Sequence, residues 1–191
     1  MKRITEQMAY NMLEEYGTPP HVIRHCEAVA DVAERVCLRL IDKGFDLDAE
    51  LVKTAGLLHD MARTEPDHQT VAAEWLRERG YDAHADIIAV HMRYPKFNPA
   101  EKTNETDLVC LGDRVCIEGH YAGVDKRFDY IINKAKHLAP DHVPIIESKR
   151  EEMKRYIKDI EGIMGISLDE LMADADTDSN VDTDTKTYND R

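Results

Sequence analysis

No apolar run in this chain approaches the roughly 20 residues that a membrane-spanning helix needs. The first residues, MKRITEQMAYNMLEEYG, hold no long apolar core, so no secretory signal is expected and the expected location is the cytosol. Basic residues are in deficit, with 25 Lys and Arg against 38 Asp and Glu and a formal charge of −13. That balance argues against a nucleic-acid polymer as partner, because coating phosphates takes clustered basic side chains. It disfavours an anionic membrane surface for the same reason. The four cysteines, Cys26, Cys37, Cys110 and Cys116, lack CxxC spacing and the density of a disulfide scaffold, so reduced, mostly buried thiols are expected. No stretch shows a convincing period-two alternation, and no internal repeat is visible.

What is present is unevenly spread. Residues 173–191 carry six Asp, one Lys and one Arg, which is −4 of the total, and leave −9 on residues 1–172. This acidic tail has one Val, one Tyr and no other large apolar residue, too little burial to offset the entropy of ordering, so it is expected to be disordered. Its Asp/Thr alternation lacks the Gly and Glu of a calcium loop.

Residues 1–172 read as one all-α domain of about eight helices. A first helix begins near Thr5, puts Met8, Met12 and Tyr16 on one face, and stops at Gly17. Thr18-Pro19-Pro20 restarts the chain, since Pro suits a first helical position. Val22, Cys26, Val29, Val36 and Leu40 then recur at helical spacing. The pattern predicts a third helix from Ala49 to about Ala62 with Asp48 as its cap, a fourth opened by Asp67, a fifth capped by Asp82 and a sixth capped by Thr106. Helices over 125–138 and 144–164 follow, and Ser167-Leu168-Asp169-Glu170 is a capping-box pattern for a short last one. Apolar positions in the first and eighth helices offer a face for a homodimer.

Nine histidines are more than average usage gives, and their positions matter more. His59-Asp60 ends the apolar run AGLLHD late in a helix, where both groups need partners if buried. His25 lies on the apolar side of the preceding helix. His68 falls in the first turn of the helix that follows, and His91 at the end of the fifth. Asp113 interrupts the apolar face of LVCLGDRVCIEG, which is costly unless a cation is near. Imidazole with carboxylate, drawn from separate helices, suits Fe, Mn, Co, Zn or Ni inside a helical bundle.

In order and context, His25 in VIRHCEAVADVAERV, His59-Asp60 in TAGLLHDMAR and Asp113 in LGDRVCIEG resemble the HD-domain metal-dependent phosphohydrolase superfamily. The resemblance covers roughly residues 18–135, and His68 and His91 match the two extra histidines of its two-metal branches. It looks most like the branch containing dinucleoside-tetraphosphate hydrolases. The resemblance implies an HD-domain helical bundle with one or two divalent transition-metal ions. Asp60 would bridge the ions, with His25, His59 and Asp113 on one and His68 and His91 on the other. A metal-bound hydroxide would attack phosphorus in a nucleotide or small organophosphate, and two ions about 3.5–4 Å apart would clamp the attacking and leaving oxygens. Asp60 and Arg63 are then the catalytic candidates, and Arg63 and Arg114 the candidates for binding a small phosphorylated substrate. Arg93 and Lys126-Arg127 are weaker candidates, read first as solvated charge.

One departure from the family pattern falls at Arg63, where many members carry Lys. Arg stays charged and cannot donate a proton, but it can clamp a phosphate bidentately. The alternatives are a di-iron HD-type oxygenase, a non-catalytic ligand-sensing HD domain and a structural metal site. The carboxylates argue against the last, since closed structural zinc sites use Cys and His. His84 reads as a surface residue or a group behind the ligands, and His120 as a loop residue that could approach substrate. His21, His137 and His142 read as exposed, and Trp75 as core.

Overall fold

The computed structural model describes residues 2–94 and 96–178, with side chains through 173. Nine α-helices are present among them, and the two strands are a single short hairpin. Helix α1 (Glu6–Tyr16) starts where the Thr5 hydroxyl accepts from Met8 N and ends at Gly17, whose φ of +79° is left-handed. Helix α2 (Pro20–Asp42) begins with Pro at its first position and runs 23 residues as the central rod. Helices α3 (Ala49–Leu58) and α6 (Glu105–Asp113) pack on it, α5 (Asp82–Val90) packs on α3, and α4 (His68–Glu78) packs on α5. Strands β1 (Cys116–Ile117) and β2 (His120–Tyr121) pair antiparallel and lead into α7 (Val124–Leu138), α8 (Val143–Met164) and α9 (Leu168–Asp178).

Two apolar clusters meet at α2. One joins α1, α3, α4 and α5 through Leu13, Leu58, Leu76 and Ile88. The other joins the opposite side of α2 to α6 and α8 through Val36, Leu108, Met153 and Ile160. Two glycines let the helices close on α2. A Cβ at Gly56 of α3 would stand 2.8 Å from Ala30 Cα, and one at Gly112 of α6 would stand 2.7 Å from the Val29 carbonyl oxygen. Gly56 and Gly112 lie just before His59 and Asp113, so close backbone approach sets the depth of both side chains.

Several boundaries differ from the pattern. α3 ends at Leu58, and residues 59–64 form turns, so His59 caps the helix and is not part of it. Asp67 adopts φ 50° and offers no side-chain cap, its carboxylate lying 3.2 Å from Arg93 instead. Tyr81, not Asp82, holds the cap position of α5. Asn104, not Thr106, caps α6, in a reciprocal capping box with Asp107. The hairpin adds four strand residues where a loop was expected. The Ser167–Glu170 capping box is present. α9 reaches Asp178, six residues past the expected end of the domain, and 179–191 lie outside the described residues. The apolar positions of α1 and α8 are spent in the protein's own core, through Met12 and Leu13 and through Met153, Ile157 and Ile160, while Ile145 of α8 stays exposed. All four cysteines are free and buried, as expected. Among the described residues no helix is long and apolar enough to cross a membrane.

Candidate metal centre and its cavity

Six sequence-predicted residues converge where the two cores meet. Asp60 is buried at the middle, on the turn after α3, and its two oxygens face different partners. Oδ2 lies 3.7 Å from His59 Nε2 and 4.0 Å from His25 Nε2. Oδ1 lies 3.0 Å from His68 Nε2 and 3.4 Å from His91 Nε2. The donor atoms of His25, His59 and Asp60 all fall within 4.8 Å of one another, and so do those of Asp60, His68 and His91. Asp113 joins the first group through Oδ1, 3.2 Å from His25 Nε2.

The tautomers follow from the backbone. His59 Nδ1 lies 2.7 Å from the Gly56 carbonyl and His91 Nδ1 lies 2.8 Å from the Ile88 carbonyl. A carbonyl only accepts, so each Nδ1 carries the hydrogen and each Nε2 a lone pair. Both Nε2 atoms are buried without a hydrogen-bond partner, pointing at a carboxylate that also only accepts. Acceptors facing one another in a dry site repel unless a cation lies between them. Backbone carbonyls that fix the far nitrogen are what a metal-ligating His needs, so these residues fit a divalent transition ion.

The electrostatics agree. Burial acts to raise the Asp60 carboxyl, but His59, His68, His91 and Arg63 hold it far below the usual carboxylate range. Burial acts the same way on Asp113, and His25, His59 and Arg127 outweigh it. Burial drives the His59 imidazole down to about 4, so it stays neutral and keeps its lone pair at neutral pH. Arg63 lies 3.1 Å from His68 Nε2 and 3.5 Å from Asp60 Oδ1, so His68 Nε2 stands between the guanidinium and the carboxylate.

A cavity of about 970 Å³ opens above the centre, reached by His25, Asp60, His91 and Asp113 and bordered by Arg63 and Arg114. Arg114 donates to the Cys110 carbonyl and lies over the Phe97 ring. Arg127, expected to be solvated charge, donates to Asp113 Oδ1 at 3.3 Å and is largely buried. Sequence reasoning ranked it low because the start of α7 is charged on several faces, and only its tertiary neighbour singles it out. Lys126 is exposed and outside the cavity. His84 is not a surface residue. It is 2% exposed, its Nε2 donates to the Thr54 hydroxyl, and it stands apart from the centre. His120 is exposed on the hairpin and does not line the cavity, whereas His21 does.

Comparison with known proteins gives three findings. A family model described as HD domain matches residues 22–117, which contain all six residues of the centre. An uncharacterized protein of Methanocaldococcus jannaschii is 42% identical over 72 residues, covering 36% of this chain and 43% of that protein. A tRNA (cytidine(56)-2'-O)-methyltransferase of Thermoplasma volcanium is 25% identical over 184 residues, covering 87% of this chain and 49% of that protein. The chain therefore spans about half the length, or less, of these curated relatives. No solved structure matches.

Proposed function

This chain belongs to the HD-domain family, and on that premise we propose that it is a metal-dependent phosphohydrolase acting on a nucleotide or other small organophosphate. The observation that carries the reading is the divided carboxylate of Asp60, with one pair of histidines at each oxygen and a buried Nε2 lone pair in each pair. His25, His59, Asp60 and Asp113 would hold one divalent ion, and Asp60, His68 and His91 a second. When bound, such ions supply Lewis-acid polarisation of a phosphoryl oxygen and activation of water.

The protein's own groups do the rest. Arg63, tethered beside Asp60 and half exposed to the cavity, orients and neutralises the phosphoryl oxygens with a fixed fork of donors. Arg114 offers a second guanidinium from the other wall. His25 Nε2 lies 3.2 Å from Asp113 Oδ1, and as a ligand it would present a lone pair to the ion beside that carboxylate. The basic residues gather around a concave cavity and not along an extended surface, which favours a small substrate over a nucleic-acid polymer.

The test is phosphate release from a panel of nucleotides under Mn, Fe, Co and Mg. Asp60→Ala is expected to lose the bound metal, measured by plasma mass spectrometry, and to lower turnover by at least about a thousandfold. His91→Ala is expected to halve the metal content. Metal content unchanged in both variants overturns the site. Oxygen-dependent turnover of an iron-loaded protein, without phosphate release, points to the oxygenase alternative.

A further inference from the structure

The two halves of the centre are not equally supplied with negative charge. The half formed by His25, His59, Asp60 and Asp113 has two carboxylates, and one cation draws on them, Arg127 at 3.3 Å from Asp113 Oδ1. The half formed by Asp60, His68 and His91 has one carboxylate oxygen, Asp60 Oδ1, which lies nearest both imidazoles. That single oxygen is also the one Arg63 draws on, with Nη1 3.5 Å away. The same Nη1 is 3.1 Å from His68 Nε2. A guanidinium nitrogen therefore shares two of the three donor atoms that a second ion would use.

The guanidinium is kept there by its surroundings. The Arg63 backbone N–H donates to the Asp60 carbonyl at 2.9 Å, which folds the turn back on itself and tethers the side chain beside the carboxylate. Arg63 pairs with no other carboxylate among the described residues. The next two acids along the chain, Glu65 and Asp67, are exposed, and Asp67 is paired with Arg93. Arg keeps its charge at any pH the protein meets, so it cannot yield the oxygen by losing a proton, as a Lys could. Asp60 is buried, and two cations on one buried carboxylate repel with little screening from water or salt.

Resting on the two-ion reading above, we infer that Arg63 sets the occupancy of the centre. Its guanidinium competes with the second ion for Asp60 Oδ1, so the position at His68 and His91 binds a divalent ion more weakly than the position at His25, His59 and Asp113. Arg63 is thus a determinant of metal stoichiometry as well as a contact for phosphoryl oxygens.

The test is calorimetric titration of the full chain, freed of metal by chelation, with Mn. Electron paramagnetic resonance reports whether the second ion lies beside the first. The parent is expected to bind one ion and then a second at least about tenfold more weakly. Arg63→Met removes the charge at a half-exposed position and adds no oxygen or nitrogen ligand. It is expected to strengthen the second ion by at least about tenfold and to change the first by less than about threefold. Arg63→Lys keeps a charge on a more flexible stem and is expected to fall between the two. Two ions of equal affinity in the parent, or the same ratio of affinities in Arg63→Met as in the parent, overturns the inference. Weakening of both ions by Arg63→Met and Arg63→Lys alike shows a residue that acts through the fold, and overturns it too. A single ion in the parent and in both variants at saturating Mn overturns the two-ion reading along with it. The expected Mn result without phosphate release from any substrate overturns the hydrolase reading and leaves the role of Arg63 standing.

Discussion

The interior around α2 and the α7–α8 hairpin form opposite walls of one cavity and are held by different forces. Around α2, helices α3 and α6 approach so closely that only glycine fits at Gly56 and Gly112, and the ligand side chains hang from backbone fixed by that contact. The hairpin buries Phe128, Ile132, Met153 and Ile157 on its inner side and adds a cluster of ion pairs at its surface. Arg150 and Lys154 of α8 pair with Asp125 of α7, and Arg150 also reaches Asp129, with the acids more than half exposed. α8 carries Gly162, where an added Cβ would meet nothing within 4 Å. Close packing gives a metal centre the sub-ångström order it needs. Solvated ion pairs at the outer surface of the hairpin add little to its stability beyond what its buried face supplies.

The largest expected effect breaks the interior. Gly112→Ala must push its Cβ against the Val29 carbonyl, and overpacking of this kind costs about 3 kcal/mol. The same change at Gly162, in an open helical position, is expected to stabilise by about 0.5–1 kcal/mol. Thermal denaturation of both variants checks the opposite signs. Metal affinity should fall for Gly112→Ala, because residue 113 moves with it, and stay unchanged for Gly162→Ala. Two variants with equal and small shifts would erase the distinction between the walls.

A second effect concerns protons in the interior. Burial pulls His84 down to about 4, against an ordinary value near 6.5. Between those pH values the unfolded chain binds a proton that the folded protein refuses, so stability falls as pH drops from 6.5 towards 4. The slope from this one residue approaches about 1.4 kcal/mol per pH unit inside the window. His84→Gln keeps a donor for Thr54 and removes the titration. Urea denaturation between pH 7 and 4.5 should therefore show a shallower loss of stability in the variant, and parallel curves would refute the assignment. The metal centre lies elsewhere, so metal content at pH 7 should not change.

The interior was also the more legible region in the sequence, for a physical reason. His25, His59, Asp60 and Asp113 are polar residues embedded in apolar helical patterns, and burial of such groups demands partners. The structure brings all four together, with His68 and His91 beside them. The end of α3 was not legible, because His59 keeps helical backbone angles and neither Gly nor Pro follows to mark the stop. The start of α6 offered two cap-type residues. The acid at Asp107, three after Asn104, was the signal that separates Asn104 from Thr106. His84 lay near a helix start, where polar residues are usually solvated, and Thr54 comes to it only through the packing of α3 on α5. Arg127 was least legible. Its role depends on how the hairpin docks, which no spacing within α7 reveals.

The smallest effect sharpens the comparison from the hairpin side. Arg150 carries pairs to Asp125 and Asp129, and surface pairs contribute about 0.2–1 kcal/mol each. Arg150→Ala is therefore expected to lower stability by about 1 kcal/mol, or about 2–4 °C in Tm for a domain of this size. The loss should shrink in high salt, since exposed charges are screened. Metal content should match the parent, because the hydrogen-bond and ion-pair partners of Asp60, His68 and His91 among the described residues lie outside α8. The α7–α8 wall holds Ile145, Ile146 and Lys134 at the cavity, so KM for a phosphorylated substrate should rise while kcat at saturation stays within twofold. A fall in metal content with Arg150→Ala would mean that the hairpin helps to assemble the centre, and the division between a packed interior and an ionic outer wall would have to be given up.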